Sequence, residues 1–129
     1  MDSNDAHRRV LASLRDGLYV TDRNRVITFW NAAAHQITGY PSDKAIGRWC
    51  GDGFLDHVDD DDVALCGSRC PLLASMSDGQ TRTVAVSLKH RDGHRVRVQV
   101  TASPLHDHTG HVIGAVETFH PAPRAGGQD

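Results

Sequence analysis

The sequence predicts an α+β domain in which short helices pack on one face of an antiparallel β-sheet, and three observations carry that prediction. Apolar and polar residues alternate with period two through the last third of the chain. Turn formers divide those runs at short intervals, as hairpin-joined antiparallel strands require. The middle of the chain instead places capping residues around short stretches of helix formers.

The elements follow in order. Residues 5–15 set Ala6, Val10, Leu11 and Leu14 at helical spacing, which predicts an amphipathic N-terminal helix within 1–16. Residues 18–21 and 26–30 read as two short strands around the turn Asp22-Arg23-Asn24-Arg25. Asn31 stands as N-cap before Ala32, Ala33 and Ala34, and Gly39 closes that helix. Pro41 and Ser42 open a further helical turn that Gly47 ends, after which residues 48–69 are irregular and rich in Asp and Gly. Pro71 occupies a first helical position, with Leu72, Leu73 and Met76 on one face and Gly79 as the stop. Val84, Val86 and Leu88, then Val96, Val98, Val100 and Ala102, alternate with polar residues on either side of Arg91-Asp92-Gly93-His94. Asp107-His108-Thr109-Gly110 makes the next turn, and residues 112–119 form a fifth strand. The segment 121–129 is rich in Pro and Gly and reads as a linker. The domain division is therefore 1–16, 17–120 and 121–129.

Composition narrows the function classes. A chain of 129 residues supports one core. The net charge of -2, with 14 dispersed basic residues, supplies no footprint for nucleic acid. No apolar run approaches the roughly 20 residues that span a bilayer, and the first ten residues lack a signal-peptide core, so a cytoplasmic protein without membrane partners is expected. The three cysteines, an odd number, favour free thiols, a ligand set or a redox pair over a disulfide framework.

The segments Asp16-Gly17-Leu18-Tyr19-Val20, Trp30-Asn31-Ala32-Ala33-Ala34, Ile37-Thr38-Gly39-Tyr40, Ile46-Gly47-Arg48, Arg91-Asp92-Gly93, Ala102-Ser103-Pro104-Leu105 and Gly110-His111-Val112-Ile113-Gly114 resemble, in order and spacing, the PAS domain family. The resemblance runs from about Ala6 to Phe119. It implies a five-stranded antiparallel sheet cupping a small cavity, lined here by Val84, Val86, Leu88, Val96, Val98, Val100 and Trp30. It also implies a sensor of a ligand, redox state or light that relays its signal to a covalently linked output domain. PAS strands often end in Asp-Ile-Thr, whereas this chain reads Glu117-Thr118-Phe119-His120-Pro121.

Fold alone does not identify a ligand. The chemistry concentrates in Cys50, His57, Cys66 and Cys70, spaced Cys-x6-His-x8-Cys-x3-Cys. A Cys3His set suits zinc, and thiolate-rich sets suit iron–sulfur clusters. An irregular, Gly-rich loop with few apolar anchors also gains folding free energy from a metal clip. The same thiols can act without metal: Cys70 before Pro71 is a helix N-cap, where a thiolate is favoured, and Cys66 is its candidate disulfide partner. In the alternative without any bound group, Cys50 and Cys66 are small buried side chains and His57 lies on the surface.

Haem would use His57 as axial ligand, with His35 second, among nine histidines. Flavin photochemistry is disfavoured, although Cys50 stands where the light-sensing LOV branch keeps its reactive thiol. Gly51-Asp52-Gly53 follows it in place of an Arg-Phe-Leu-Gln run, and Leu88, Val98 and Val116 stand where polar amides would meet the ring. The run Asp59-Asp60-Asp61-Asp62, with Asp56 nearby, lacks the alternation and glycine turn of a calcium loop and reads as a solvated loop or helix start. No phosphate loop, Gly-x-Ser-x-Gly elbow or His-Glu-x-x-His pair occurs, so no enzymatic activity is expected. A ligand-free dimerisation module remains the other reading of the whole chain, with Val10, Leu11 and Leu14 as the stripe that meets a second copy, or else packs on its own sheet.

Overall fold

A computed structural model describes residues 15–50, 52–65 and 69–122. The expected N-terminal helix with Val10, Leu11 and Leu14, the tail beyond residue 122, and Cys66 lie outside the described residues. Five strands, β1 (Gly17–Asp22), β2 (Ile27–Trp30), β3 (Arg82–Lys89), β4 (Arg95–His106) and β5 (Val112–Pro121), form one sheet in the order β2-β1-β5-β4-β3. Every pairing is antiparallel. Three helices, α1 (Ala32–Thr38), α2 (Ser42–Ala45) and α3 (Pro71–Asp78), join β2 to β3 together with the long irregular segment.

Local chemistry explains these elements. Asp22 Oδ1 accepts from the amides of Asn24 and Val26 at 2.9 and 3.0 Å, folding the β1–β2 turn. Asn31 caps α1 by accepting from Ala34 N at 2.8 Å, and the same oxygen accepts from Leu18 N at 3.0 Å, so one buried amide anchors α1 to β1. Gly39, at φ 82°, ends α1 in the left-handed conformation. Pro71 opens α3, and Ser75 Oγ donates to Ala102 O at 3.2 Å, holding that helix against β4.

The β3–β4 register sets Val84 against Val100, Val86 against Val98 and Leu88 against Val96. Val86, Leu88, Val98 and Val100 are buried with Tyr19, Trp30, Leu55, Leu72 and Phe119 in the core, against which Val84 and Val96 pack half-buried. β4 runs four residues past its expected end, to His106. Beyond Ala102 it no longer pairs with β3, so Pro104 sits where only β5 is a neighbour and its missing amide hydrogen costs no ladder bond on that open side.

The irregular segment docks along the edge of β3. Val58 and Ser87 exchange both backbone hydrogen bonds at 2.9 Å, and Lys89 N donates to Leu55 O at 2.7 Å. The acidic run is an exposed loop, and its carboxylates meet arginines: Asp60 pairs with Arg97 at 2.9 Å, Asp59 with Arg69 at 3.0 Å, and Asp56 with Arg95 at 2.6 Å. Among the described residues no helix is long and apolar enough to cross a membrane.

Candidate functional site

The segment that leaves β2 and returns through α3 closes over the sheet, and beneath it lies a small cavity lined by Tyr19, Cys50, His57, Leu65, Cys70, Pro71, Val86, Val100 and Glu117. About 10 Å³ of it is open to the centre of a water molecule, room for about one water or a single ion. A cofactor-sized ligand takes on the order of 300 Å³ or more.

Two elements of the sheet supply the floor. Tyr19 on β1 stands directly across from Glu117 on β5, the middle strand. Alternation along β5 turns Ala115, Glu117 and Phe119 inward, so a carboxyl group occupies a core-facing position at 3% exposure. Phe119 holds the Tyr19 ring edge-on at 6.1 Å. Neither Tyr19 Oη nor Glu117 Oε2 completes a hydrogen bond of ordinary geometry, although the two groups face each other. Such buried polar atoms cost about 1–3 kcal/mol each unless water or a ligand meets them.

The covering segment supplies the rest. Cys50 is placed by its amide, which donates to Arg25 O at 2.9 Å. His57 is fixed on its backbone by Leu65 N, which donates to His57 O at 2.9 Å, and its ring enters the cavity with Nε2 3.8 Å from Glu117 Oε2. Cys70 is the N-cap residue of α3, and its carbonyl accepts from Ala74 N at 3.1 Å. The Leu73 and Leu72 amides lean toward its sulfur without closing a capping hydrogen bond of ordinary geometry.

Both described cysteines are free and buried, and they line the same cavity, where each thiol shifts the titration of the other. The neighbouring Cys50 thiol, with the α3 amides and the Arg25 guanidinium, draws the Cys70 thiol down to about 5, against the opposing effect of burial. Cys50 moves the other way, because the neighbouring Cys70 sulfur and burial both disfavour a second thiolate. Burial raises Glu117 to about 8 and lowers His57 to about 4. At neutral pH their 3.8 Å contact is therefore one between neutral groups, and the charge in the cavity rests on Cys70.

The cavity gathers Cys50, His57 and Cys70, three of the four residues singled out in the sequence, and buries His57 at 8% exposure. Their donor atoms do not come within 4.8 Å of one another as a set of three. Among the described residues, the thiol set against Cys70 is that of Cys50, twenty positions away. Of the expected lining residues Val86 and Val100 face the cavity. Trp30, Leu88 and Val98 are core residues beside it, and Val96 packs half-buried on that core. Val84 borders an outer groove of about 370 Å³ that shares Leu65, Pro71 and Val86 with the cavity. Tyr19 and Glu117 had not been singled out as site residues; an acidic residue at an inward position of a strand was the available signal for Glu117.

The chain belongs to the PAS fold family, which matches residues 6–122. No curated protein sequence matches it. A PAS domain from Colwellia psychrerythraea is similar in structure, with a TM-score of 0.76 and 19% identity over 94% of this chain and 98% of that one. The Vibrio cholerae VqmA dimer structure is similar at a TM-score of 0.74 and 17% identity, covering 96% of this chain and 53% of VqmA. An RNA-binding Light-Oxygen-Voltage receptor matches at 0.76 and 19%, over 92% of this chain and 33% of the receptor. At these identities the likeness is one of fold. This chain spans about half of VqmA and a third of the receptor.

Proposed function

We propose that this PAS domain is a thiol-based redox sensor whose signal is read at Cys50 and Cys70. The observation that carries the reading is the meeting of two free thiols from distant parts of the chain, both buried and lining one cavity. The oxidant class is a small hydroperoxide, which reaches the cavity from the outer groove past Leu65, Pro71 and Val86. The Cys70 thiolate attacks one peroxide oxygen, the O–O bond breaks, and the leaving oxygen takes a proton to depart as water or an alcohol. Cys50 sulfur, giving up its proton, then attacks the sulfenic sulfur of Cys70; the S–S bond forms, the S–O bond breaks and water leaves.

The disulfide would tie the end of the α2–Cys50 segment to the start of α3 and remove a negative charge beside Glu117 on the middle strand. Through β5 the change reaches the sheet, and from there a covalently linked output domain in a homodimeric protein. Peroxide treatment of the purified, reduced chain is expected to remove two of its three thiols without forming intermolecular bonds. Retention of all three contradicts the reading.

A second reading is favoured by a separate observation: neutral His57 and the Glu117 oxygen without a hydrogen-bond partner face the same cavity as the thiols. Cys50, His57 and Cys70, with Glu117 or Cys66, would then draw together around a single zinc ion as the sensed group, whereas an iron–sulfur cluster needs more room than the cavity gives. Haem through His57 requires the covering segment to open far beyond the present cavity. Stoichiometric zinc in anaerobically purified protein, with thiols released only by a chelator, supports this second reading against the first.

A further inference from the structure

Outside the cavity, a second set of ligand-type side chains stands at the β3–β4 turn. Leu88 and Val96 oppose each other in the register, and the next like-facing positions outward are His90 and His94. His90 N donates to His94 O at 2.8 Å and Gly93 N to His90 O at 2.9 Å, with Gly93 at φ 106° allowing the tight return. The two imidazole rings consequently stack, with centroids 4.5 Å apart and planes 17° from parallel. The Asp92 carboxylate reaches the Nδ1 edges of both rings, hydrogen-bonding His94 Nδ1, with Oδ1 3.1 Å from His90 Nδ1, which itself accepts from Asp92 N at 3.1 Å.

One ring nitrogen from each histidine and one Asp92 oxygen lie within 4.8 Å of one another, and among the described residues no other three His, Cys, Asp or Glu ligands do so. The turn is also held from behind. Arg91 N donates to Thr38 O at 2.8 Å, and the His90 ring rests against Gly39, where a Cβ would stand 2.7 Å from its Cε1. Asp92 and His94 remain exposed, at 62% and 57% of their side chains, and are free to adjust.

We propose that His90, Asp92 and His94 form a binding site for one divalent transition-metal ion of the zinc class, with water completing its coordination. Two imidazoles and a carboxylate suit Zn2+, Ni2+ or Cu2+, whereas Mg2+ and Ca2+ prefer sites made of oxygen. Metal–ligand bonds of about 2.0–2.2 Å place donors roughly 3.3 Å apart, so small movements of the two exposed side chains close the present set around an ion. The backbone bond to Thr38 and the His90 contact with Gly39 mean that a bound ion would fasten the hairpin tip next to the end of α1. This site is independent of the thiol cavity.

The test is a Zn2+ titration of the full chain followed by NMR of the histidine side chains. His90 and His94 resonances are expected to shift together and saturate at about one equivalent, while His106, His108 and His111 stay in place. His94→Ala, on an exposed turn, is expected to lower the affinity by at least about tenfold, and Asp92→Asn to weaken it as well. Unchanged affinity in His94→Ala, or shifts spread over all histidines without saturation, would overturn the proposal.

Discussion

The cavity and the β3–β4 turn are built from the same two chemical types, an imidazole and a carboxyl group, and treat them in opposite ways. In the cavity His57 and Glu117 are 8% and 3% exposed, and burial keeps both neutral by lowering the first to about 4 and raising the second to about 8. At the turn Asp92 is solvated, and the His94 amide and ring hold its carboxyl below the ordinary value. The same two residue types are thus a neutral buried pair in one place and carry a ready-charged cation ligand in the other. Position in the sheet decides which: an inward register position on the middle strand removes water, and a hairpin tip keeps it.

The largest effect that can break this comparison lies at Glu117. Its folded pKa is raised above the ordinary 4.5, so the folded state keeps a proton that the unfolded chain has released, and the group's contribution to stability falls as pH rises from 4.5 to about 8. Glu117→Gln does not titrate. Relative to wild type it is expected to gain on the order of 4 kcal/mol over that window, read by urea unfolding at pH 5 and 8. A difference that does not change with pH would show that Glu117 is not buried as a neutral acid.

His57 has the opposite sign. Its folded pKa is lowered from 6.5 to about 4, so its contribution is complete above 6.5 and is lost as pH falls toward 4. His57→Gln, compared with wild type between pH 7 and 4, is expected to lack a loss on the order of 3 kcal/mol. Removal of the neighbouring thiol in Cys50→Ala is expected to move the Cys70 titration upward from about 5, since Cys50 is the largest influence lowering it. Thiolate absorbance against pH reads this, and an unmoved titration would mean that the two thiols do not interact. At the turn, metal-free His94→Ala is expected to change stability by no more than about 0.5 kcal/mol, as exposed substitutions do.

The sheet was legible because alternation at Val84, Val86 and Leu88 and at Val96, Val98 and Val100 is a local signal that the tertiary structure keeps. Asn31, Gly39, Pro71 and Gly79 likewise mark helix ends through their own backbone chemistry. The site was legible only in part. Cys50, His57 and Cys70 stand out by residue type, but which thiol meets which depends on the path of residues 51–69, a segment without periodicity. Its docking is set by long-range bonds from Val58 to Ser87 and from Arg97 to Asp60. Glu117 carries no motif, and its meaning appears only once β5 is known to be the middle strand with that face turned inward.

The central claim, that Cys50 and Cys70 form the sensing pair, is tested most directly by mass-spectrometric mapping of the disulfides in peroxide-treated protein. The account predicts an intramolecular Cys50–Cys70 linkage with Cys66 outside it. A Cys66–Cys70 linkage, or unlinked Cys50 and Cys70 after oxidation, would contradict it.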